Sequence, residues 1–504
     1  MKIRSVKFNF IMNFILTASS ILFPLITAPY ILRVLQAEGN GRVDFASSVM
    51  TCFMMFASLG IPTYGIRTCA KVRDDKEELS NTVQELMIIN TVTMALTYAV
   101  FLVLVFAVPQ FAEEKTLLFI NSISMVLNVI GVSWFYSAIE QYAYITVCSI
   151  GFKLASIVLM FLLVKSPEDY VKYGAITVFA ASGSYVLNFW NLRKHVRLKK
   201  TRPYRFKVHL RPILVFFSMS AAINVYTNLD TAMLGIMRDK AEVGYYTAGI
   251  KIKNLLMSLT TSLGAVLLPR LSYYIEKGEK EAFEKTVSKA FHFVLILGSA
   301  VTVYFVIMAK EALLLLGGDG YSASIAPMQI LMPTVLLIGL SNITGMQILT
   351  PYGQENKVLV SIIGGAVLDF VLNLSLIPNY GASGAAFATL LAELLVLVVQ
   401  CYYLRQLLKG IVRYIPFWKY IAAVGTGTIL MLAVKNWVQI PQLFAGNSTL
   451  QVFFELALTA VVFFGGEGIV LILVKEPFVM EMAEKVFGRV FGKKTGKKEQ
   501  NDKR

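Results

Sequence analysis

Several basic side chains stand inside or at the ends of long apolar stretches of this sequence. Lys251 lies about two helical turns from the nearest loop, and Lys153 also lies deep within an apolar stretch. A buried lysine either extends its ammonium to the membrane surface or faces a wet cavity and meets an anionic ligand. Arg67 and Arg270 end two apolar stretches, where each can anchor a helix. Because the two arginines occupy equivalent places in the two halves of the chain, they are also candidates for a gate or a phosphate contact.

Acidic and neutral polar side chains occur in the same stretches. The acids Asp230, Asp369 and Glu393 are candidates for coupling to an ion or for pairing with a cation, and the sequence does not choose between H⁺ and Na⁺. Uncharged polar residues at helical spacing predict polar helix faces toward a cavity: Asn13, Thr17, Asn224, Asn228, Asn254 and Ser258.

Residue patterns typical of metal sites or catalysis are not found. No pair among the four cysteines has the Cys-x-x-Cys spacing of metal and redox motifs. The histidines are His195, His209 and His292, and none has an evident catalytic partner. We therefore predict no metal, no cofactor and no enzymatic activity.

The elements that must position these side chains follow from composition. Of 504 residues, 56% are hydrophobic and only 15% are charged, whereas soluble chains carry about 25% charged residues. Apolar stretches of about 20 residues recur throughout, each long enough to cross a membrane. We predict an all-α integral membrane protein with about fourteen spans: 9–32, 43–66, 83–107, 116–138, 143–164, 171–192, 212–235, 244–268, 290–309, 325–349, 358–377, 382–404, 418–435 and 450–474.

Lysine and arginine set the predicted orientation. With a cytoplasmic N-terminus, the inner segments hold about 34 of the 47 basic residues and the outer loops hold about 7. Both termini are then cytoplasmic. The net charge of +16 is thus a membrane-topology signal, and it does not indicate nucleic-acid binding.

Five segments are predicted along the chain. They are an N-terminal lobe with spans 1–6 (1–192), a basic cytoplasmic linker (193–211), a C-terminal lobe with spans 7–12 (212–410), two extra spans (411–475) and an amphipathic, basic tail (476–504). Weak similarity between the halves supports this division. Each half has a short outer loop before a span that ends in Ser-Leu-Gly, a proline and an arginine. Such parallel repeats are typical of transporters with a substrate path between two halves.

Motifs in order along the chain resemble bacterial polysaccharide-repeat-unit flippases. These are PYILRVLQAEGNGRVDFA, GIRTCAK, NLDTAMLGIMRDKAEVGYYTAG, LLPRLS, SNITGMQILTPYGQENK and IPNYGASGAAFATLLAE. The resemblance covers roughly residues 5–475 and implies the multidrug/oligosaccharidyl-lipid/polysaccharide exporter fold, in which two six-helix lobes surround a central cavity and spans 13 and 14 are extra.

The resemblance also implies a function. The expected substrate is an undecaprenyl-diphosphate-linked oligosaccharide, turned from the inner to the outer leaflet by alternating access for surface polysaccharide biosynthesis. Arg33, Arg67 and Arg270 fall at motif positions for cationic cavity residues, and Lys251 follows the GYYTAG motif. Gln36 stands where many relatives carry glycine. A glycan polymerase and glycosyltransferases are expected partners.

Three other functions remain open at this point. A cation-coupled multidrug exporter shares the superfamily, but that role favours acids in the cavity. A lipid II flippase would have the same fold. A membrane glycan polymerase or transferase would usually carry a large outer loop, and the outer loops here are short.

Overall fold

The computed structural model describes residues 6–197, 202–412, 415–437, 448–482 and 484. Within these ranges the chain forms helices and turns without any strand. The α-helices in chain order are α1 (Val6–Ser58), α2 (Ile61–Lys71), α3 (Lys76–Ala107), α4 (Pro109–Glu113), α5 (Lys115–Gly131), α6 (Ser133–Ala138), α7 (Tyr142–Leu163), α8 (Tyr170–Ser182), α9 (Ser184–Leu192), α10 (Phe206–Met237), α11 (Lys240–Lys277), α12 (Lys280–Ile307), α13 (Ala309–Gly317), α14 (Ile325–Leu331), α15 (Pro333–Asn342), α16 (Glu355–Tyr403), α17 (Arg405–Val412), α18 (Phe417–Trp437) and α19 (Ser448–Leu473). The predicted basic tail lies mostly outside the described residues.

Helices dominate because a backbone in hydrocarbon must satisfy its own hydrogen bonds. Ten segments of the described chain are long and apolar enough to cross a membrane. The predicted all-α membrane fold is therefore confirmed. The first N–H groups of a helix have no partner within the helix, and a capping side chain can bind them. At α3, the Asp75 carboxylate accepts hydrogen bonds from the backbone N–H groups of Glu77 and Glu78.

Two helices are too long for one crossing. Helix α1 has 53 residues and α16 has 49, which correspond to about 70–80 Å, whereas the hydrocarbon core is about 30 Å thick. Each is broken in its interior, α1 at Gln36 (φ 58°) and α16 at Gly381 (φ 52°). Counting each as two spans, and adding α8–α9 and α10, leaves room for the fourteen predicted spans, whose number stays a prediction.

The chain folds into two compact units. The first comprises Met1–Lys251, Leu316–Pro327 and Ile362–Ala392, and the second comprises Ile252–Leu315, Met328–Ser361 and Glu393–Arg504. The predicted lobe boundaries and the arrangement of the lobes around a cavity stay predictions.

In the first unit, two glycines allow helices to pack backbone to backbone. A Cβ added at Gly41 in α1 would lie 2.8 Å from the carbonyl carbon of Lys240. One added at Gly244 in α11 would lie 2.7 Å from the carbonyl carbon of Ala37. Each glycine thus faces the residue four places before the other glycine. Small residues at a helix–helix interface allow such a close approach.

Part of the basic linker is held by carboxylates at the start of α3. Glu85 is buried and accepts hydrogen bonds from Arg202 Nη1 (2.7 Å) and from the backbone N–H of Arg205 (2.7 Å). Arg202 also contacts both carboxylate oxygens of Glu78. These contacts fix where α10 begins, and α10 carries several of the predicted site residues.

Candidate functional site

One face of α1 carries exposed polar side chains at helical spacing. Thr17 Oγ1 donates to the backbone carbonyl of Asn13 (3.0 Å), and Ser20 Oγ donates to that of Leu16 (3.2 Å). The hydroxyl hydrogens are thus used within the helix, and the oxygens still offer lone pairs. Asn13, Thr17 and Ser20 thus lie on one exposed face of α1, and the predicted cavity beside that face stays a prediction.

Helix α7 places Lys153 against this face. The two helices meet where Thr146 Oγ1 donates to the carbonyl of Met12 (3.0 Å). Two turns further along α7, Lys153 Nζ donates to Ser19 Oγ (3.0 Å) and to Ser20 Oγ (2.9 Å). None of the ion pairs between described residues includes Lys153, which is half-buried. Its positive charge is therefore held by hydroxyl groups and is not neutralised by an acid.

Lys251 has a different environment. Its Nζ lies 2.8 Å from Asp44 Oδ2 and 3.2 Å from Asn40 Oδ1, and Asn40 Nδ2 also donates to Asp44 (2.9 Å). Asp44 neutralises the charge of Lys251 in this conformation. Lys251 neither extends to the surface alone nor presents an uncompensated charge.

The predicted arginines lie in separate places. Arg33 is half-buried three residues before the break in α1, where Gln36 Nε2 donates to its carbonyl (2.7 Å). It lies thirteen residues from Ser20, which is about 20 Å along a helix. Arg67 is exposed on α2. In the second unit, exposed Arg270 donates from Nε to the Tyr274 hydroxyl (2.7 Å).

Asp230 is the centre of a buried polar cluster in the first unit. Its Oδ2 accepts hydrogen bonds from the Tyr246 hydroxyl (2.7 Å) and from Thr389 Oγ1 (2.8 Å). Its Oδ1 accepts one from Asn373 Nδ2 (2.7 Å). Asp369, which is 2% exposed, lies one turn before Asn373 on α16. Three donors thus satisfy the Asp230 carboxylate, and ion coupling at these acids stays a prediction.

The third candidate acid belongs to the second unit. Glu393 is 6% exposed and lies in the part of α16 that the second unit contains. The structure therefore groups Asp230 and Asp369 in one unit, and it does not group Glu393 with them.

The predicted neutral polar residues divide between the units. Asn224 lines a cavity of the first unit. Asn228 Nδ2 donates to Thr227 Oγ1 (2.9 Å), and the Asn228 carbonyl accepts from Ser48 Oγ (2.8 Å). Asn254 is exposed in the second unit, and Ser258 there donates to the carbonyl of Leu255 (2.6 Å).

Two of the histidines have buried tyrosine and glutamate partners that the sequence did not reveal. His209 Nε2 lies 2.8 Å from Glu85 Oε2, and His209 Nδ1 lies 2.8 Å from the Tyr64 hydroxyl. His292 Nδ1 lies 2.6 Å from Glu476 and 2.5 Å from the Tyr420 hydroxyl. Burial raises the pKa of Glu476, but hydrogen bonds from His292 and from the Val479 N–H outweigh burial and lower it overall.

These two Tyr–His–Glu groups join segments that are distant in sequence. His209 and Glu85 are 124 residues apart, and His292 and Glu476 are 184 apart. Both groups are buried, so we interpret them as structural links.

Four site residues were missed by the sequence analysis. Asp44, Tyr246, Asn373 and Thr389 all contact predicted residues. Asn373 could have been found, because it follows Asp369 by four residues and shares its helix face. The other three gave no local signal, since their partners are far away in sequence.

With this geometry described, similarity to known proteins can be assessed. Residues 6–275 match the family described as polysaccharide biosynthesis protein, which is more than half of the chain. The chain belongs to this family. Residues 216–375 also match the MatE family. The resemblance expected from the sequence motifs is therefore confirmed.

Named relatives of this polysaccharide biosynthesis family member share low identity over long segments. A protein of Escherichia coli (strain K12), described as a candidate O-antigen transporter, is 23% identical over 409 residues, which cover 80% of this chain and 97% of the relative. The Haloferax volcanii protein Agl15, described as a candidate low-salt glycan biosynthesis flippase, is 24% identical over 249 residues, which cover 48% of this chain and 51% of the relative.

Solved structures share the fold of this family member. A structure of the lipid II flippase MurJ in an inward closed conformation has a TM-score of 0.69 and 13% identity, and the match covers 93% of this chain and all of the other. An inward-facing multidrug resistance MATE family transporter has a TM-score of 0.56 and 13% identity, with 78% of this chain and 99% of the other covered. At this identity the likeness concerns the fold alone.

Proposed function

We propose that this protein is a flippase for an undecaprenyl-diphosphate-linked oligosaccharide. It turns the headgroup from the inner to the outer leaflet of the bacterial cytoplasmic membrane by alternating access, for surface polysaccharide biosynthesis. Family membership and relatives described as O-antigen transporter and glycan flippase support this proposal. Glycosyltransferases would supply the substrate and a glycan polymerase would consume it. Both termini would be cytoplasmic.

The observation that carries the proposal is the contact of Lys153, on α7, with the polar face of α1. An isolated charge in hydrocarbon costs several kcal/mol, so a membrane protein keeps one where it has a use. Lys153 is surrounded by hydroxyl oxygens, and Thr17 and Asn13 continue the same face. A diphosphate headgroup needs an uncompensated cation and polar neighbours to leave water. Lys153 offers both, while the polyprenyl chain stays in lipid.

The other cations have supporting roles in this proposal. Arg67 is exposed, and an arginine donates two parallel hydrogen bonds to phosphate oxygens. Arg33 and Arg270 are further contacts on the path. Lys251 becomes available to phosphate only when Asp44 releases it, since the two side chains are 2.8 Å apart.

Coupling to an ion is assigned to the Asp230 cluster. We propose that H⁺ or Na⁺ binds among Asp230, Asp369, Asn373 and Thr389, because both acids are buried and Asn373, one turn after Asp369, donates to Asp230. Two nearby carboxylates repel each other when both are ionised, so a bound cation stabilises the pair. Ion occupancy would then bias the conformational equilibrium.

Transfer rates of variants at Lys153 and Lys251 test the proposed function. Full-length protein is reconstituted in proteoliposomes with a fluorescent undecaprenyl-diphosphate oligosaccharide, and the rate of transfer between leaflets is measured. We expect Lys153→Met to slow transfer about tenfold or more, because one lost charge-assisted contact is worth about 1.5–3 kcal/mol. Lys251→Met should slow it less, by about threefold, because Asp44 already neutralises that lysine.

Lys172→Met is the matched control, since Lys172 pairs with Asp169 (2.6 Å) and is mostly exposed. It should transfer at the wild-type rate. Wild-type transfer by Lys153→Met at equal amounts of folded protein would remove Lys153 from the substrate path. If the wild type transfers lipid II or a cationic dye but not the lipid-linked oligosaccharide, the substrate assignment itself is wrong.

The coupling assignment is tested by ion-dependent stability. Replacing choline by Na⁺, or lowering pH, should raise the melting temperature of the wild type, because a ligand that binds the folded state stabilises it. Asp369→Asn should lose this response while remaining folded. A wild type that responds to neither ion would contradict coupling at this cluster.

A further inference from the structure

A cavity of about 500 Å³ lies within the first unit. It is lined by the second part of α1, by α2, by α5, by α8 and α9, and by α10. Its volume is within the range of about 300–1,000 Å³ that is common for small-ligand sites. Lys153 and the polar face of α1 around Thr17 are not part of its wall.

The side chains on the cavity wall are uncharged, as far as the described residues define it. The wall carries hydroxyl and amide groups together with the thioethers of three methionines, Met50, Met54 and Met55. The polar residues of the wall are Ser47, Thr51, Ser58, Thr63, Asn121, Ser124, Asn128, Thr177, Ser182, Tyr185, Ser220 and Asn224. A drug cation would find no carboxylate there, and a diphosphate would find no basic group.

Three hydroxyl groups on this wall donate to helix backbones. Thr51 Oγ1 donates to the Ser47 carbonyl (2.8 Å), Ser124 Oγ to the Asn121 carbonyl (2.6 Å) and Thr177 Oγ1 to the Gly174 carbonyl (2.7 Å). Their hydrogens are therefore committed to helix backbones. The oxygens that remain can only accept.

Two amide side chains also donate to helix backbones. Asn121 Nδ2 donates to the Leu117 carbonyl (2.9 Å), and Asn224 Nδ2 donates to the Ser220 carbonyl (2.9 Å). Each amide keeps its oxygen as an acceptor and one N–H as a donor. Asn121 is only 5% exposed, so its orientation is fixed by packing. The cavity thus presents both hydrogen-bond acceptors and hydrogen-bond donors, and its described wall carries no charge.

An uncharged wall of hydroxyl and amide groups selects among the parts of the proposed substrate. A diphosphate carries negative charge, and the described wall holds no cation to offset the cost of taking it out of water. Sugar hydroxyls and acetamido groups both donate and accept, so they can pair with the donors and the acceptors of the wall. Met50, Met54 and Met55 add soft apolar surface for the C–H faces of sugar rings.

We propose that this cavity is a subsite for the neutral sugars of the lipid-linked oligosaccharide, separate from the cations that meet its diphosphate. This inference rests on the proposed flippase function. It assigns recognition of the glycan to Thr51, Asn121, Ser124 and Thr177 in the first unit. The cations then bind the diphosphate, which all such substrates share, and the cavity recognises the sugars, which differ among them.

Binding of two lipid probes separates these roles. Full-length protein in nanodiscs is titrated with undecaprenyl diphosphate and with undecaprenyl-diphosphate N-acetylglucosamine. The wild type should bind the sugar-bearing lipid about tenfold more tightly. Thr51→Val and Thr177→Val, which replace a hydroxyl by a methyl of similar size, should each reduce that preference about threefold, and Asn121→Leu should nearly abolish it. Binding of the bare lipid should change less than twofold.

Thr97→Val is the matched control. Thr97 Oγ1 makes the same kind of bond, to the Thr93 carbonyl (2.8 Å), but lies outside the cavity wall. It should keep the full preference. Lys153→Met should weaken both probes equally. Should Asn121→Leu fail to fold, Ser124→Ala, which removes only an oxygen, takes its place.

The outcomes distinguish this inference from the function on which it rests. If the wild type binds neither lipid, the flippase proposal is wrong and the sugar subsite falls with it. If the wild type binds both lipids equally, or if the cavity variants keep the full sugar preference, the subsite is wrong and the flippase proposal stands.

Discussion

The tripeptide Ser-Leu-Gly occurs at corresponding places in the two halves, at residues 58–60 and 262–264, and its backbone differs between them. In the first copy, α1 ends at Ser58, Leu59 and Gly60 have φ values of 44° and 72°, and α2 begins at Ile61. In the second copy, the tripeptide lies inside the unbroken helix α11. The same three residues are a helix break in one place and a helix interior in the other.

The residues that follow explain part of the difference. Pro62 comes two residues after Gly60, and proline is favoured in the first turn of a helix. Pro269 comes five residues after Gly264, where α11 continues through it. The rest of the difference comes from the segment that packs against each glycine. Gly60 abuts the backbone of α10, whereas Gly264 faces the side chain of Asn342.

The other end of the repeat behaves differently. Gly41 and Gly244 make the same contact with exchanged partners, so the two halves agree there in packing. The halves therefore share this helix–helix contact, whereas their local backbones differ at the Ser-Leu-Gly tripeptides. We infer that the glycine contact is the part that the fold requires.

The largest expected effect tests that inference. Gly41→Ala and Gly244→Ala should each destabilise the protein by about 3 kcal/mol, because a Cβ would meet a carbonyl group of the other helix and the helices must separate. Thermal melting of the detergent-solubilised protein, with the yield of folded protein, measures this. Gly364→Ala is the control, because nothing lies within 4 Å of its added Cβ. Unequal losses at the two positions would end the claim of a reciprocal contact.

The second prediction concerns the differing ends. Gly60→Ala should destabilise the protein by about 2 kcal/mol, because φ is 72° and a Cβ would lie 2.5 Å from the backbone nitrogen of Phe217. Gly264→Ala should change stability by less than about 1 kcal/mol, since it is helical and the flexible side chain of Asn342 can move. The same melting measurement compares them, and equal effects would contradict the explanation from neighbouring chain.

A third, smaller effect is expected at Gln36. Its φ of 58° with ψ of −177° is a conformation that glycine favours. Gln36→Gly should therefore stabilise the protein by about 1 kcal/mol, although the hydrogen bond to the Arg33 carbonyl is lost. Arg238→Gly, at the turn between α10 and α11 with a φ of −140°, should give no gain. A gain at Arg238 of similar size would point to a general effect of glycine.

The smallest effect is expected for the arginines that end the two copies. Arg67→Gln should slow transfer of the lipid-linked oligosaccharide about threefold, because Arg67 is exposed and suited to phosphate. Arg270→Gln should slow it less than about twofold, because the Tyr274 hydroxyl and ring already hold that guanidinium. Transfer rates in proteoliposomes, at matched protein levels, decide this. The reverse order would make Arg270 the more important phosphate contact.

The candidate site shows where prediction from sequence stops. Depth along an apolar stretch identified Lys153 and Lys251 as unusual, but the same reasoning applied to both. The contacts that separate them come from residues 134 and 207 positions away. Similarly, Asp230 could be recognised as a membrane acid, whereas its bond to Thr389 spans 159 residues.

By itself, the sequence determined the helical membrane fold and the family, because hydrophobic length and motif order are properties of the linear chain. Only the tertiary structure decided which charges are neutralised, which acids share a buried cluster and which helices enclose an uncharged cavity. The physical reason is that the energy of a charge or polar group in a membrane depends on its partners. Those partners are brought together only when distant helices pack.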